Sequence, residues 1–183
     1  ADRGALTYTA DAAGNVKTVT DARNITAQYS YDALNRVTGV DYPGAEEDIT
    51  LGYDGCINGL GRLCTVQDQS GTAAYAYDGF GNVAGISTTG QGATYVTRYT
   101  YDPANRVAAI TYPDGRVVDY TRDAAGRIGA VTMTGQGTTT ALATTILARD
   151  ITRRADGLPT RIGYGNSLTE TRAYNLKGEL TDQ

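Results

Sequence analysis

The chain has 183 residues, with 16 basic and 20 acidic side chains, two cysteines, one phenylalanine and neither histidine nor tryptophan. Without histidine, imidazole-based serine, cysteine or metal mechanisms have no base in this chain, and two cysteines do not make a four-thiolate zinc site. A formal charge of −4 runs against a nucleic-acid or anionic-membrane surface, and no run of 18 apolar residues is present to span a bilayer.

In chain order, the first recognisable unit is Tyr8-Thr-Ala-Asp11-Ala-Ala-Gly14-Asn-Val16, which reads as strand, four-residue turn and return strand. Tyr29-Ser-Tyr31-Asp32-Ala-Leu-Asn35-Arg-Val37 repeats it. A third copy at Tyr53-Asp54 carries four extra residues before Gly61-Arg62-Leu63. Next come Tyr75-Ala-Tyr77-Asp78-Gly-Phe-Gly81-Asn-Val83 and Tyr99-Thr-Tyr101-Asp102-Pro-Ala-Asn105-Arg-Val107, then Tyr120-Thr-Arg-Asp123-Ala-Ala-Gly126-Arg-Ile128. Degenerate copies follow at Arg154-Ala-Asp-Gly157 and Tyr174-Asn175-Leu-Lys-Gly178. The aspartates at 11, 32, 54, 78, 102 and 123 are separated by 21, 22, 24, 24 and 21 residues, the spacing of a stacked repeat architecture.

Each unit has the chemistry of a β-hairpin. Aspartate opens a type I turn, capping its backbone, and Gly or Asn closes it with positive φ. Asn35 and Asn105 therefore stand where Gly14, Gly81 and Gly126 do, and Pro103 sits where φ near −65° is wanted. Valines and isoleucines follow, as in Val37, Val40 and Val107, Ile110. Second turns are expected at Tyr42-Pro-Gly44, Asp68-Gln-Ser-Gly71 and Tyr112-Pro-Asp-Gly115. Summed, residues 1–183 form one region of about eight hairpin units, an all-β antiparallel meander of about fourteen to sixteen strands that twists and curves because flat sheets of that length are disfavoured. Gly-Gln-Gly at 90–92 and 135–137 marks longer loops, the second opening an irregular excursion over about 134–150. The start at Ala1 rather than Met reads as a piece of a longer protein.

Leu, Ile, Val and Phe total only 32 residues, roughly 17%, and 14 tyrosines fill the gap. The tyrosines Tyr8, Tyr29, Tyr31, Tyr53, Tyr75, Tyr77, Tyr99, Tyr101, Tyr120 and Tyr174 suit cross-strand ring packing, against the alternative of a stacking platform for sugars or bases. The aspartate series suits turn capping better than a calcium ladder, since no calcium-loop spacing is present. Arg36, Arg62, Arg106 and Arg127 follow the turn in phase, as a charge ladder across neighbouring hairpins or a lining for an anionic cargo. Cys56 and Cys64, eight apart around the widened turn, suit either a hairpin-end disulfide or two reduced thiols. No constellation of catalytic, cofactor-binding or metal-ligating residues stands out.

The Tyr-Asp-x-x-Gly-Arg-Val frame resembles the tyrosine–aspartate repeats of the Rhs family, shared with the C components of insecticidal toxin complexes and with animal teneurins. Tyr53-Asp-Gly-Cys56-Ile-Asn-Gly-Leu-Gly61-Arg-Leu-Cys64 and Tyr164-Gly-Asn-Ser-Leu-Thr-Glu-Thr-Arg172-Ala-Tyr174 look like bacterial Rhs proteins in particular. The resemblance implies an internal, non-catalytic part of a hollow β-shell that encapsulates a C-terminal toxin domain. Its partners would be the rest of the shell and that cargo, with secretion machinery, and without nucleic acid or a membrane span. It further implies synthesis in a bacterial cytoplasm and placement outside the cell or on its surface. An isolated fragment exposes two sheet edges and is expected to self-associate. The competing function is a cell-surface adhesion or carbohydrate-binding module using the tyrosine strip.

Overall fold

The turn chemistry dictates the backbone. In the computed structural model, which describes residues 4–44, 47–135 and 144–183, the Asp32 carbonyl accepts from the Asn35 N–H at 3.0 Å, while the Asp32 N–H donates to Arg36 O at 3.0 Å. Asn35 is left-handed, with φ of 58°. The same two hydrogen bonds recur at Asp11, Asp78, Asp102 and Asp123, and the closing residues Gly14, Gly81, Asn105 and Gly126 all have positive φ. Such a type I turn closed by a left-handed residue places a bulge in the return strand.

The strands are β1 (Thr7–Ala10), β2 (Val16–Thr20), β3 (Thr26–Tyr31), β4 (Val37–Asp41), β5 (Ile49–Tyr53), β6 (Leu63–Asp68), β7 (Gly71–Tyr77), β8 (Val83–Gly90), β9 (Ala93–Tyr101), β10 (Val107–Thr111), β11 (Val117–Arg122), β12 (Ile128–Thr134), β13 (Thr144–Arg153), β14 (Pro159–Tyr164) and β15 (Thr169–Thr171). They form one 15-stranded sheet in strictly sequential order, antiparallel at each register that follows. A separate hairpin pairs β16 (Ala173–Tyr174) with β17 (Leu180–Asp182). The described residues contain no helix. The chain divides into two compact units, Ala1–Val96 and Thr97–Gln183.

The bulge explains the Val-x-x-Val spacing. In the first unit Tyr31 pairs with Val37 but Ser30 pairs with Gly39, so Thr38 is the extra residue and Val37 and Val40 share a face despite lying three apart. Val16/Val19, Leu63/Val66 and Val83/Ile86 repeat the arrangement. One face of the first unit consequently carries Val19 opposite Ala27, Tyr29 opposite Val40, Leu51 opposite Val66 and Tyr75 opposite Ile86. The other carries Thr18 opposite Gln28, Gly39 opposite Thr50, Gly52 opposite Thr65 and Gln67 opposite Thr72. Threonine hydroxyls couple across this small, polar face, Thr20 to Thr26 at 2.8 Å and Thr89 to Thr94 at 3.0 Å.

In the second unit the same division holds. Tyr99 faces Ile110, Ile110 faces Val118, and Val118 faces Met133 on one side, while Asp119 meets Thr132 on the other. Neither face is covered by a second layer of the described residues. The buried apolar residues among them are Ala27, Cys64 and Val118; most of the rest of the apolar face is half-buried, with Tyr8 and Val16 exposed at the outer strands. Order therefore resides in ladders, turns and the joints between hairpins rather than in a core.

One expected loop is corrected, and part of a second. Gly-Gln-Gly at 90–92 is a two-residue turn between β8 and β9, with Gln91 and Gly92 both at positive φ (50° and 79°), the conformation that matches strand twist in a tight hairpin. Of the irregular excursion expected over about 134–150, Thr144–Arg153 is instead the ten-residue strand β13; residues 136–143, with most of the second Gly-Gln-Gly, lie outside the described residues.

Candidate functional site

The chemically distinctive places are the seams where one hairpin meets the next. Between β2 and β3 the ladder runs from Thr20–Thr26 to Thr18–Gln28 and stops before the aspartate-turn end of the strands. There the Val16 carbonyl lacks a ladder partner, and the Tyr31 hydroxyl donates to it at 2.8 Å. The arrangement recurs in the first unit as Tyr53 Oη to Val37 O at 2.9 Å and Tyr77 Oη to Leu63 O at 2.6 Å. In the second unit Tyr174 Oη reaches Pro159 O at 2.9 Å. Each donor is the residue before the turn, and each acceptor is the first residue of the preceding return strand.

Arginine takes over the donor position where tyrosine is missing. Arg122 Nη2 donates to Val107 O at 3.0 Å and Arg153 Nη2 to Ile128 O at 3.1 Å. Both reach across a seam to a main-chain oxygen, which a phenol and a guanidinium satisfy equally well. Sequence reasoning missed these two residues. The signal was their place one residue before Asp123 and Arg154, where other copies carry tyrosine.

A second contact crosses several of the seams at the turn itself. Asn15 Nδ2 donates to Asn35 Oδ1 at 2.8 Å. Arg36 donates from Nε to its own Asp32 at 2.7 Å and from both Nη atoms to Asp54 of the next hairpin at 3.1 and 2.6 Å. Its guanidinium also lies 4.3 Å from the centroid of the Tyr53 ring, so one arginine meets the ring whose hydroxyl closes the same seam. Arg62 lies over Tyr77 at 5.5 Å and fills the space a Cβ on Gly81 would occupy. Arg106 Nη1 donates to Gly126 O at 3.0 Å.

The expected charge ladder is thus only partly ionic. Arg36 bridges two hairpins by ion pairs, and Arg122 Nε lies 3.6 Å from Asp102. Arg106 and Arg127 ion-pair with the aspartates of their own turns, Asp102 and Asp123. Arg62 makes no ion pair in the described residues and donates to the carbonyls of Asn58 and Leu60.

The aspartates are occupied by their turns. Oδ1 of Asp32 accepts from the backbone N–H of Leu34 at 2.9 Å and of Arg36 at 3.0 Å, and Asp11, Asp78, Asp102 and Asp123 repeat the pattern. These bonds favour the ionised form, so the carboxyls sit below their ordinary range. For Asp32 and Asp123 the first cause is the backbone N–H at the end of the turn; for Asp11, Asp78 and Asp102 it is the side chain of Asn15, Asn82 or Arg106. Asp21-Ala-Arg-Asn24 folds the same turn on the opposite end of the strands, with Asn24 at φ of 62°. It escaped the sequence frame because no tyrosine precedes it.

The tyrosines divide by role. Tyr31, Tyr53, Tyr77 and Tyr174 close seams. Tyr29 and Tyr75 pack opposite Val40 and Ile86; Tyr99 lies opposite Ile110 and Tyr101 opposite Val107. Tyr120 lies opposite Val131 and borders, with Val107, Ile110, Arg122 and Ile128, a shallow groove of about 270 Å³. Tyr8 at the outer strand is largely exposed.

The third hairpin is the exception. Its extra residues let Asp54 take positive φ (69°), and its carboxylate accepts from the Gly61 N–H at 2.6 Å. Arg36 is the first cause holding Asp54 below the usual carboxylate range. Cys56 and Cys64, open between two states in the sequence, form a disulfide across this loop, with 5.5 Å between Cα atoms. Cys64 occupies the bulge position between Leu63 and Thr65.

Near the C-terminal end, Glu170 accepts from the Tyr164 hydroxyl, from Arg172 Nε and from Gln183 Nε2. The Tyr164 hydroxyl is the first cause lowering the Glu170 carboxyl, and Glu170 in turn raises the tyrosine. No helix among the described residues is long and apolar enough to cross a membrane.

Among proteins with curated functions, none matches this sequence. Solved structures do. TcdB2-TccC3 without its hypervariable C-terminal region superimposes with a TM-score of 0.84 at 18% identity, over 98% of this chain and 10% of that one. TcdB2-TccC3 itself gives 0.83 at 18% identity, with the same coverage. The Photorhabdus luminescens Tc holotoxin pore with mutated TccC3 gives 0.82 at 16% identity, again over 98% and 10%. At these identities the likeness is one of fold, and the chain spans a tenth of the length of the chains it matches. The RHS Repeat family model matches residues 11–47, 87–117 and 101–140. With hairpins, turn aspartates and seam tyrosines arranged as described, the chain belongs to the Rhs, or tyrosine–aspartate, repeat family.

Proposed function

We propose that this chain is a stretch of wall in a hollow Rhs shell, a structural module that contributes no catalytic group and helps to enclose a C-terminal toxin cargo. The shell would be delivered outside the producing bacterium as part of a larger protein. The carrying observation is a sheet that grows strand by strand with no second layer: only Ala27, Cys64 and Val118 are buried apolar residues among those described. Hairpins joined edge to edge through side chain to main-chain bonds can extend without a core to terminate them. Such a layer separates two compartments rather than forming a pocket. The fold likeness to TcdB2-TccC3 chains ten times as long supports the same reading.

The test is a graft. The matching tenth of a TcdB2-TccC3 chain is replaced by this chain, and the C-terminal region is challenged with protease. Protection equal to the parent supports the wall reading. Rapid degradation of the C-terminal region from a shell that still assembles would refute it.

A further inference from the structure

We propose that the Cys56–Cys64 disulfide is a thiol-sensitive clasp that governs one seam, between the third and fourth hairpins of the first unit. The bond closes the only turn in the repeat frame widened by four residues. That loop is the part of the third hairpin that reaches forward: Asn58 Nδ2 donates to Tyr77 O at 2.9 Å, just before the Asp78 turn. The β6–β7 ladder stops at Thr65–Ala74, so from there to the turn end the seam depends on side chains. These are Tyr77 Oη on Leu63 O, the Arg62 guanidinium against Gly81 and the Asn58 amide.

The disulfide sets the path of the loop. The Cys56 N–H donates to Cys64 Sγ at 3.1 Å, and Gly59, buried, packs so closely on both sulfurs that a Cβ there would collide with them. Gly59 N–H bonds to Cys56 O at 3.0 Å and Arg62 N–H to Gly59 O at 2.8 Å, so Asn58 is held at the apex by a bonded frame. The base of the hairpin is held independently by main-chain pairing: Asp54 N–H donates to Arg62 O at 3.1 Å and Tyr53 pairs with Leu63. Opening the disulfide therefore frees the loop and its grip on Tyr77 while leaving the strands paired.

Cys64 is 4% exposed and Cys56 is half-buried, so Cys56 is the accessible side. A thiolate of a dithiol reductant attacks Cys56 Sγ, the Sγ–Sγ bond breaks, and Cys64 leaves as a thiolate that takes up a proton. The second thiol of the reductant then attacks its own sulfur in the mixed disulfide and expels the Cys56 thiolate. Two electrons pass to the cystine, and the reductant leaves as a cyclic disulfide. Such chemistry distinguishes an oxidising exterior from a reducing cytosol. The clasp goes beyond the wall reading and holds whatever the wall encloses.

The test is hydrogen exchange of the 183-residue chain with and without excess dithiothreitol. Amides of Gly59, Gly61 and Arg62, and those of the Asp78 turn, are expected to exchange roughly tenfold faster or more once the bond is open. The Asn35 amide in the second hairpin should stay within about twofold. The double variant Cys56→Ser with Cys64→Ser should show the fast pattern and ignore the reductant. Asn58→Ala should loosen the Asp78 turn while the loop stays closed. The proposal is overturned by equal acceleration in every turn of the first unit, by an unchanged loop, or by a bond that dithiothreitol does not open in the folded chain.

Discussion

Replacing Tyr53 by Phe removes a single oxygen. The ring stays, and with it the Arg36 guanidinium 4.3 Å above its centroid; what goes is the 2.9 Å donation to Val37 O. A net hydrogen bond is worth about 0.5–1.5 kcal/mol, and Val37 is half-buried, so water replaces the lost donor at reduced cost. The expected loss is about 1 kcal/mol, a shift of roughly 2–4 °C in Tm for a chain of this length. Urea unfolding followed by far-ultraviolet circular dichroism reads it, with Tyr75→Phe as control because Tyr75 packs opposite Ile86 and closes no seam. The slope should not change, since the perturbation sits at one joint between stacked units. Adding Tyr31→Phe and Tyr77→Phe should bring the loss to about 3 kcal/mol, each seam being independent. Equal midpoints for Tyr53→Phe and Tyr75→Phe would refute the idea that the phenol hydroxyl closes the seam.

Four further outcomes are expected. Arg122→Tyr should keep the joint to Val107 O and cost little, whereas Arg122→Met should cost about 1–2 kcal/mol in the same urea assay. Gly14→Ala meets open space and suffers only its positive φ, about 1 kcal/mol; Gly81→Ala and Gly126→Ala should cost more, because the new Cβ also displaces Arg62 or Arg106, an ordering that thermal melts can check. Stability should fall with acid: the turn carboxyls sit below their unfolded value of about 3.9, so what they contribute is present above that pH and lost as pH drops through the lower folded values, which urea midpoints at neutral and acid pH will show. The isolated chain should associate through its open strand edges, seen as rising mass with concentration in light scattering, and a constant monomer mass would contradict this.

The fold class was legible because its determinants are local. An aspartate followed three residues later by Gly or Asn specifies a turn within five residues, and five such copies in phase, with a sixth widened at Asp54, leave little choice of architecture. Val37 and Val40, three apart, do not follow a strict two-residue alternation, and the bulge at Thr38 is what puts them on one face. The seams were not legible, because their acceptors are carbonyls set free only where neighbouring strands part, and no residue type marks that. Arg122 and Arg153 hid for a related reason: a guanidinium and a phenol satisfy one acceptor, so function was conserved in geometry while the letter changed. Spacing alone left Cys56 and Cys64 undecided, since eight residues of widened turn can bring the sulfurs together or hold them apart. Gly-Gln-Gly at 90–92 read as slack when it is a turn of two residues, the glycine in it supplying handedness rather than length.

The seam acceptors have one more consequence. Every residue owns a carbonyl, so the joint does not depend on what the neighbouring hairpin is made of, only on where its strand begins. Hairpins are then interchangeable parts, free to drift in sequence so long as each keeps a long donor before its turn. A superposition at a TM-score of 0.84 with 18% identity is what such a modular chain should produce.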